Sequence, residues 1–291
     1  MKHQVVGLFV QSRRADMEEQ LRVLFDFFIA HKVEFLFEKN SYGNLSHQLQ
    51  DATHELFDAG EPPDSITLFV VVGGDGSFLH ACQLLYQHQR PITGVNLGTL
   101  GFLTDINIDS LEEQLLPVLR DEGEVDERHF LRVESEQLPV KTLALNDVVV
   151  QTGESGRIVE LRVTIDGKLA YDLRCDGIIL ATPTGSTAYA LSAGGPLVHN
   201  QVDALLLVPL AAHNLATRPS VIPANSSVAL SLVGESPSAQ VSVDGQQAMM
   251  LAVGESITIA KSTEAVYLMH PPDRDFCAAW RAKLGWSQSL V

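Results

Sequence analysis

Residues 66–79 read ITLFVVVGGDGSFL and join a strand pattern to a helix pattern through a glycine turn. Its β-branched and apolar residues predict a buried strand, which ends at residues 73–76 (GGDG) before a helical pattern that begins at Ser77. A strand, a glycine turn and a helix start point backbone N–H groups at an anion. Asp75 is a poor phosphate ligand, but its carboxylate suits a proton acceptor or a metal ligand. The stretch therefore predicts a phosphate-handling site with a working carboxylate.

The composition is that of a globular protein with a strong negative charge. The chain has 291 residues, 45% of them hydrophobic, and a formal net charge of −16 at pH 7. This charge argues against non-specific binding to nucleic acid or to an anionic membrane. The N-terminus lacks the pattern of a signal peptide, and no apolar run has the length of a membrane span. Because the three cysteines form no CxxC pair, we expect a protein of the reducing cytoplasm without a zinc site.

Strands alternate with helices in the first part of the chain. The apolar patterns predict strands over residues 5–10, 33–37, 66–72 and 92–96, and helices over 16–31, 45–57, 77–88 and 111–119. This alternation is typical of an α/β domain with a doubly wound, mostly parallel sheet, which we place at residues 1–128. Ligands of such sheets bind at the carboxyl ends of the strands, where residues 73–76 lie. Residues 94–105 bring further glycines to the next strand end, either for a second close backbone approach or as a plain glycine loop.

The second part of the chain has the pattern of an all-β domain. Short strands are predicted over residues 140–151, 158–165, 168–173, 177–181, 226–233, 240–243 and 255–260. Asp-Gly turn signals at 166–167 and 244–245 separate some of them, and one short helix is predicted near 187–192. We therefore expect a sandwich-like domain at residues 129–270. The final segment, residues 271–291, contains an amphipathic helix over 274–284 that is expected to pack back on the first domain.

The GGDG turn matches neither of two common nucleotide-binding patterns. Leu79 stands where the dinucleotide-binding fingerprint would have its third glycine. The P-loop ending GKS is missing, and no lysine occurs between Lys39 and Lys141, which excludes a Walker-type site. A tight structural turn remains the alternative to a functional one.

Residues 176–195, DGIILATPTGSTAYALSAGG, are rich in hydroxyl groups. Within eleven residues they include Thr182, Thr184, Ser186, Thr187, Tyr189 and Ser192. Such a density suits hydrogen bonds to a polar ligand such as a ribose or an amide. The alternative is a turn that caps the short helix, with Ser186 as the N-cap. Both can hold together, since ligands often bind at a helix start.

Asn146 and Asp147 interrupt the apolar run LALNDVVV. Polar residues in such a run are costly to bury without partners. They could clamp a diol or an amide, or occupy an edge position with internal hydrogen bonds. Arg157, Arg174 and Lys168 are the nearby cations; they could meet a pyrophosphate or be solvated surface charges. The ten histidines show no metal-ligand spacing, and no residue is assigned as a metal ligand.

Several strings together resemble the bacterial NAD kinase (ATP-NAD 2′-phosphotransferase) family over nearly the whole chain. They are GGDGSFL (73–79), NLGTLGFLTD (96–105), LND (145–147), DGIILATPTGSTAYALSAGGP (176–196), VDGQ (243–246) and KLGWS (283–287). GGDG alone is shared with diacylglycerol-type lipid kinases and phosphofructokinases. TPTGSTAY together with the NLG and GFLTD segments is specific to the NAD kinases.

The resemblance implies transfer of the γ-phosphoryl group of ATP to the 2′-hydroxyl of the adenosine ribose of NAD, which gives NADP. It also implies a divalent metal cation, usually Mg²⁺, and a homo-oligomer in which neighbouring subunits help to build the NAD site. Asp75 matches the proton acceptor, and the ATP phosphates are expected at Gly73, Gly74 and Gly76. The residues implied to bind NAD are Asp75, Gly76, Asn146, Asp147, Arg157, Arg174, Asp176, Thr187, Ala188, Tyr189, Ala190, Leu191, Ser192 and Gln246. Many relatives have Glu at the position of Asp147, so the acid is shorter here.

Three other functions compete with this interpretation. A lipid kinase would share the glycine turn, but a chain with a net charge of −16 and no basic amphipathic helix is badly suited to a membrane surface. A non-catalytic NAD(P)-sensing module would need the binding residues without the acid, and Asp75 is present. Phosphofructokinase is disfavoured because no second sugar-phosphate motif of its type occurs.

Overall fold

The computed structural model describes residues 2–10, 17–43, 45, 55–98, 101–138, 142–153, 158–214, 216–235 and 238–286. It divides into two compact units, Met1–Glu127 with Val266–Val291, and Arg128–Ala265. We call them the α/β unit and the β unit. The sequence predicts boundaries after residues 128 and 270, whereas in the structure Arg128 begins the β unit and residues 266–270 belong to the α/β unit.

The α/β unit contains a parallel sheet. Its strands are β1 (Val5–Val10), β2 (Glu34–Glu38), β3 (Leu56–Phe57), β4 (Leu68–Val72), β5 (Ile92–Asn96) and β6 (Ile106–Asn107). They lie in the order β5-β4-β1-β2-β3, with β6 added to β5, and every pair is parallel. The predicted α/β fold with a parallel sheet is confirmed, and β4 and β5 are neighbours whose carboxyl ends meet at one edge.

Helices connect these strands. They are α1 (Met17–Ala30), α2 (Lys39–Gly43), α3 (Asp75–Leu85) and α4 (Leu111–Leu119), with 3₁₀ turns at Tyr86–His88 and Ile108–Ser110. The prediction of a helix over 45–57 is wrong at its end, where Leu56 and Phe57 pair with β2 as an edge strand. Pairing and burial of Phe57 between Phe9 and Phe69 override the local pattern there. Residues 46–54 lie outside the described part of the chain.

Helices cover both faces of the sheet, as expected for parallel strands. Val6, Leu8 and Val10 of β1 point with alternate residues of β4 into a core shared with α1 and α4. On the other face, α3 lies close to β5: a Cβ added to Gly94 would be 2.9 Å from the ring of Phe78. The glycine therefore permits the close packing of α3 that brings its first turn to the strand ends.

The β unit consists of antiparallel strands. The strands that remain are β7 (Glu124–Glu134), β8 (Thr142–Ala144), β9 (Asp147–Thr152), β10 (Val159–Ile165), β11 (Lys168–Cys175), β12 (Gly177–Ala181), β13 (Ala204–Leu210), β14 (Ser220–Pro223), β15 (Val228–Val233), β16 (Ser238–Val243), β17 (Gln246–Ala252) and β18 (Ser256–His270). One group is ordered β11-β10-β15-β18 and the other β14-β13-β12-β9-β16-β17. A single core cluster takes residues from both groups, which confirms the sandwich-like prediction.

Several elements of the β unit differ from the prediction. The strand predicted over 140–151 is two strands, β8 and β9, because Leu145 and Asn146 form a turn between them. Four strands were not predicted, namely β7, β13, β14 and β17, and β18 continues to His270 rather than ending at residue 260. The short helix is a 3₁₀ turn at Thr184–Thr187 followed by α5 (Tyr189–Ser192). Both predicted Asp-Gly turns are present, with positive φ at each residue.

The C-terminal segment returns to the α/β unit. Leu268 of β18 pairs in parallel with Ile92 of β5, and helix α6 (Phe276–Leu284) follows. Asp275 caps the start of α6 by accepting from two backbone N–H groups, and Gly285 ends the helix in the left-handed conformation. No described helix is long and apolar enough to cross a membrane. All three cysteines are free.

Candidate active site

Asp75 lies at the carboxyl end of β4, in the first turn of α3. The helix begins at Asp75 with Gly74 as its N-cap, so the predicted start at Ser77 is wrong: the GGDG stretch supplies the helix start as well as the turn. Gly73 has a φ of 153°, which L side chains rarely adopt, and its N–H donates to Val95 O of the neighbouring strand. The acid is therefore fixed where a parallel sheet places its ligands.

The carboxylate of Asp75 is held by the loop that follows β5. Phe102 N donates to Oδ2 at 2.9 Å, and Leu103 N and Thr104 N donate to Oδ1 at 3.0 and 3.2 Å. Thr104 Oγ1 lies 3.2 Å from Oδ1, and Lys283 Nζ lies 3.2 Å from Oδ2. Both carboxylate oxygens thus have partners, and the side chain keeps 31% of its exposure.

These donors decide the charge of Asp75. Burial alone would raise the pKa of its carboxyl group, but the N–H groups of Phe102 and Leu103 and the ammonium of Lys283 outweigh that effect. The pKa of Asp75 consequently lies below its usual value. The site presents an ionised carboxylate at neutral pH.

Residues of the NLGTLGFLTD stretch build the support of Asp75. Asn96, at the end of β5, donates from Nδ2 to Thr104 Oγ1 at 3.0 Å, and Thr104 is fully buried. Gly101 passes so close to the carboxylate that an added Cβ would lie 2.0 Å from Asp75 Oδ1. Of the two interpretations of this glycine loop, a close backbone approach applies at Gly101, and the group approached is the carboxylate of Asp75.

A second set of polar contacts joins this loop to the C-terminal segment. Arg274 Nε and His270 Nδ1 lie 2.8 and 2.7 Å from Asp105 Oδ2. Arg274 also donates to Phe102 O at 3.3 Å, and Phe102 N donates to Asp75. Since these contacts are largely buried, they restrict the backbone on which the carboxylate of Asp75 depends.

The structure does not require all three glycines beside Asp75. Gly73 needs its unusual φ, as described above. At Gly74 and Gly76, an added Cβ would meet no described atom within 4 Å, and both residues are exposed. Packing within the described part of the chain therefore does not require glycine at either position. Open backbone at a helix start suits the approach of an anion.

In the β unit, Asp244 fixes the Asn146-Asp147 pair. Its carboxylate accepts from Leu145 N and Asn146 N at 2.8 Å each and from Asp147 N at 3.1 Å. Three successive N–H groups around one carboxylate make a nest-like turn, which interrupts the strand. Asn146 Oδ1 is buried and has no hydrogen-bond partner among the described residues, so this amide oxygen is available to a ligand donor.

Asp147 differs from Asp75 in its charge. Its side chain is buried; this burial, together with the nearby carboxylate of Asp244, raises the pKa of Asp147 to about 7. A carboxyl group with this pKa can donate or accept a hydrogen bond near neutral pH.

Most hydroxyls of the TPTGST turn serve the turn itself. Thr182 Oγ1 donates to Leu145 O at 2.6 Å, and Ser186 Oγ donates to Pro183 O at 2.6 Å. Thr184 Oγ1 accepts from Arg128, and an added Cβ on Gly185 would lie 2.1 Å from Asn146 O. These hydroxyls therefore serve the turn, as the structural interpretation expects, and pack it against the Asn146-Asp147 pair. The prediction of Ser186 as an N-cap is wrong: Ser186 lies inside the 3₁₀ turn, and Ala188 precedes α5 without a side-chain cap.

The following residues are more open. Tyr189 and Ser192 are exposed, Thr187, Ala188 and Leu191 are partly exposed, and the side chain of Ala190 is buried. Of this run, Tyr189 and Ser192 therefore present side chains to a ligand most readily. Ligand binding by this run stays a prediction.

The remaining predicted NAD-binding residues are surface groups of the β unit. Arg174 is 67% exposed and forms an ion pair with Glu160 at 3.1 Å. Asp176 is exposed at the turn into β12, and Gln246 is exposed at the start of β17, just after the Asp244-Gly245 turn. Arg157 lies outside the described residues.

Sequence reasoning missed four residues that shape the two groups. They are Asn96, Thr104, Asp244 and Lys283. Three of the quoted strings contain them, but their contacts join residues far apart in the chain: Lys283 is 208 positions from Asp75. Two signals were available in the sequence. One was Asp244 of VDGQ, which stands beside a turn glycine, and the other was Lys283, the lone lysine of KLGWS.

The described residues offer no cage for a metal ion. They contain no group of three or more His, Cys, Asp or Glu side chains that could hold one. Asp75 could contribute a carboxylate oxygen only by giving up one of the donors described above. Magnesium often keeps few protein ligands and binds through substrate phosphates, and that arrangement fits this donor set better.

Two family models match the chain. The ATP-NAD kinase N-terminal domain matches residues 6–123, and the ATP-NAD kinase C-terminal domain matches residues 145–271. The NAD kinase of Marinobacter nauticus is 42% identical over 294 residues, which cover 98% of this chain and 97% of the relative. The NAD kinase of Alcanivorax borkumensis is 38% identical over 290 residues, with 98% and 95% covered.

Solved structures of the same kind share the fold. A crystal structure of yeast NADH kinase complexed with NADH superimposes with a TM-score of 0.85 at 25% identity, covering 100% of this chain and 90% of that one. An NAD kinase from Archaeoglobus fulgidus in complex with ATP has a TM-score of 0.70 at 26% identity, covering 92% and 94%. Relatives and structures thus agree on one kind of enzyme.

Proposed function

The chain belongs to the ATP-NAD kinase family and is an NAD kinase, and from that premise we propose that Asp75 is the proton acceptor of the reaction. The γ-phosphoryl group of ATP is transferred to the 2′-hydroxyl of the adenosine ribose of NAD, which yields NADP and ADP. The observation that carries the proposal is the ionised carboxylate of Asp75, held by backbone N–H groups at the start of α3.

The transfer exchanges one phosphorus–oxygen bond for another. A bond forms between the ribose 2′-oxygen and the γ-phosphorus, and the bond from that phosphorus to the β–γ bridging oxygen breaks. ADP leaves with the electron pair, and the hydroxyl proton passes to Asp75. Since the transition state of phosphoryl transfer is loose, the hydroxyl loses its proton late. A carboxylate with a low pKa can therefore still accept this proton.

The other roles follow the resemblance and the geometry. The backbone of Gly73, Gly74 and Gly76 is proposed to bind the ATP phosphates, because α3 starts there and Gly74 and Gly76 are open. In the β unit, Asn146 and Asp147 are proposed to bind NAD, supported by the free amide oxygen of Asn146. The further proposed NAD-binding residues are Asp75, Gly76, Arg157, Arg174, Asp176, Thr187, Ala188, Tyr189, Ala190, Leu191, Ser192 and Gln246.

Cofactor, assembly and location complete the proposal. Magnesium would bind together with ATP, on its phosphates, where it would neutralise part of their charge.

A homo-oligomer is proposed from the family resemblance, and light scattering would give its mass. A cytoplasmic location is consistent with three free cysteines, and fractionation of cells would test it.

The deciding experiment supplies NAD, ATP and Mg²⁺ and reads NADP with an NADP-specific dehydrogenase. We expect NADP from the unmodified protein and a fall in kcat of about 10²–10⁴-fold in Asp75→Asn, because the amide cannot accept the proton. The KM for NAD should change little, since the amide can still contact the hydroxyl.

Asp121→Asn is the matched control. Asp121 is also partly exposed, also bonded to a lysine, Lys2, and its pKa is also lowered, chiefly by that lysine. It should keep normal turnover. Absence of NADP with the unmodified protein would refute the activity, and normal turnover in Asp75→Asn would remove Asp75 from the role of base.

A further inference from the structure

Lys283 occupies an unusual position for a lysine on an exposed helix. It lies in the last turn of α6, a helix in which no residue is fully buried. Its ammonium nonetheless points inward, 3.2 Å from Asp75 Oδ2 and 4.5 Å from the ring centroid of Phe102. Only 31% of the side chain is exposed. An ammonium group is strongly hydrated in water, so it loses part of its hydration at this position. Its contacts with Asp75 and Phe102 must offset the free-energy cost of that loss.

The reaction needs positive charge at this place. Phosphoryl transfer depends on cations that neutralise the equatorial oxygens of the transferring group. The glycine turn carries no lysine, and the chain as a whole has a net charge of −16. Lys283 brings a cation to the turn from the other end of the chain.

The contact with Asp75 puts Lys283 within reach of the donor. A hydroxyl bound to a carboxylate lies about 2.7 Å from it, and the phosphorus that it attacks lies about 3 Å further on. An ammonium that already touches the same carboxylate can therefore reach the γ-phosphate by rotations of its flexible four-carbon stem.

We propose that Lys283 is a catalytic residue that binds the γ-phosphate of ATP, and that it pairs with Asp75 only while the donor site is empty. The inference rests on the proposed function, in which Asp75 binds the ribose hydroxyl. When ATP binds, the ammonium exchanges the carboxylate for phosphate oxygens. This exchange neutralises the donor and frees Oδ2 of Asp75 to accept from the hydroxyl. Lys283 thus fills the role that a P-loop lysine has in other kinases.

Lys283→Met tests the proposal, because methionine keeps the length of the stem without the charge. We expect kcat to fall by about 10²-fold or more and the KM for ATP to rise, with the KM for NAD within about twofold. Titration with a non-hydrolysable ATP analogue should show weaker binding, and titration with NAD should not. Lys283→Arg should recover part of the loss in ATP affinity, since it retains the charge.

The pH profile separates a direct role from a merely structural one. With Lys283 removed, Asp75 loses a neighbouring positive charge, so its pKa rises. The acid limb of the profile of kcat/KM for ATP, which reports the enzyme before ATP binds, should then move to higher pH in Lys283→Met and stay in place in the control. The control is Lys261→Met, because Lys261 is 29% exposed and pairs with Asp203 at 2.6 Å.

The outcomes are distinct. If the unmodified protein forms NADP and Asp75→Asn does not, while Lys283→Met keeps normal kcat and KM for ATP, the proposal for Lys283 is wrong and the proposed function stands. Equal losses of ATP and NAD binding with a lowered Tm would show a structural role and also overturn it. If Lys283→Met fails to fold, the ATP affinity of Lys283→Arg tests the proposal instead. Because this variant retains the positive charge, a complete loss of its ATP binding would contradict the proposed role of that charge.

Discussion

Asp75 and Asp147 are two acids of one enzyme with opposite pKa shifts. Burial acts to raise both. In Asp75, backbone N–H groups and Lys283 reverse the effect, and its pKa falls below the usual value. In Asp147, the neighbouring Asp244 adds to burial, and the pKa rises to about 7. The backbone N–H groups explain the difference: those near Asp147 are bound to the carboxylate of Asp244 instead.

The raised pKa of Asp147 predicts a pH-dependent stability. The folded state binds this proton more tightly than the unfolded chain, whose Asp pKa is about 3.9. The resulting stabilisation is complete below about pH 4 and is lost as the pH rises through the folded value of about 7; in total it amounts to about 4 kcal/mol. The unmodified protein loses this stabilisation as Asp147 ionises, whereas Asp147→Asn has no carboxyl group to ionise. The Tm of Asp147→Asn minus that of the unmodified protein should therefore increase from pH 5 to pH 8.

Thermal unfolding at four pH values measures this difference. Asp64→Asn is the surface control, because the side chain of Asp64 is fully exposed and only its ion pair with Arg90, at 3.1 Å, is removed. A Tm difference for Asp147→Asn that is constant from pH 5 to pH 8 would contradict the raised pKa.

At the scale of elements, the loop at residues 101–104 is the part of the site that packing constrains most. A Cβ on Gly101 would lie 2.0 Å from Asp75 Oδ1 and 2.2 Å from Thr104 Oγ1. Gly101→Ala must therefore displace the carboxylate or its donors, and a shift of about 1 Å at a reacting group costs about 10²-fold in rate. Steady-state assays should show this loss in kcat.

Gly98→Ala provides the comparison within the same stretch. The nearest atom to its added Cβ is Asn96 Oδ1, at 3.9 Å, so this variant should retain most of its turnover. Equal activities of the two variants would mean that the loop yields without moving Asp75.

Local sequence predicted those elements whose pattern is set by their own residues. Strands β1 and β5 and helix α4 begin and end at the predicted residues, because continuous apolar runs and a regular helical period leave little choice. The edge strand β3 and the split between β8 and β9 were not predictable in this way. Their conformations depend on partners elsewhere, on β2 and on the carboxylate of Asp244.

For the molecule as a whole, sequence motifs identified the chemistry but not the contacts that tune it. GGDG gave the acid and its place at a strand end. The contacts of Asp75 with Thr104 and Lys283 join residues up to 208 positions apart, and a chain read in order shows no such proximity. The C-terminal segment is the clearest case, since its pattern predicted a helix that packs on the first domain, and the structure adds a cation, Lys283, beside the carboxylate of Asp75.

The net charge of −16 bears on the rate at which the substrates arrive. ATP and NAD are both anions and ATP carries more charge, so the field of the whole protein repels ATP more strongly. Salt screens this repulsion over a Debye length of about 10 Å at 0.1 M. We expect kcat/KM for ATP to rise between 20 and 150 mM KCl, roughly in line with that screening, and kcat/KM for NAD to rise less. Steady-state kinetics at constant free Mg²⁺ measure both. A fall in kcat/KM for ATP would mean that local cations such as Lys283 outweigh the overall charge even at a distance, and the same series in Lys283→Met would then show whether that cation is the cause.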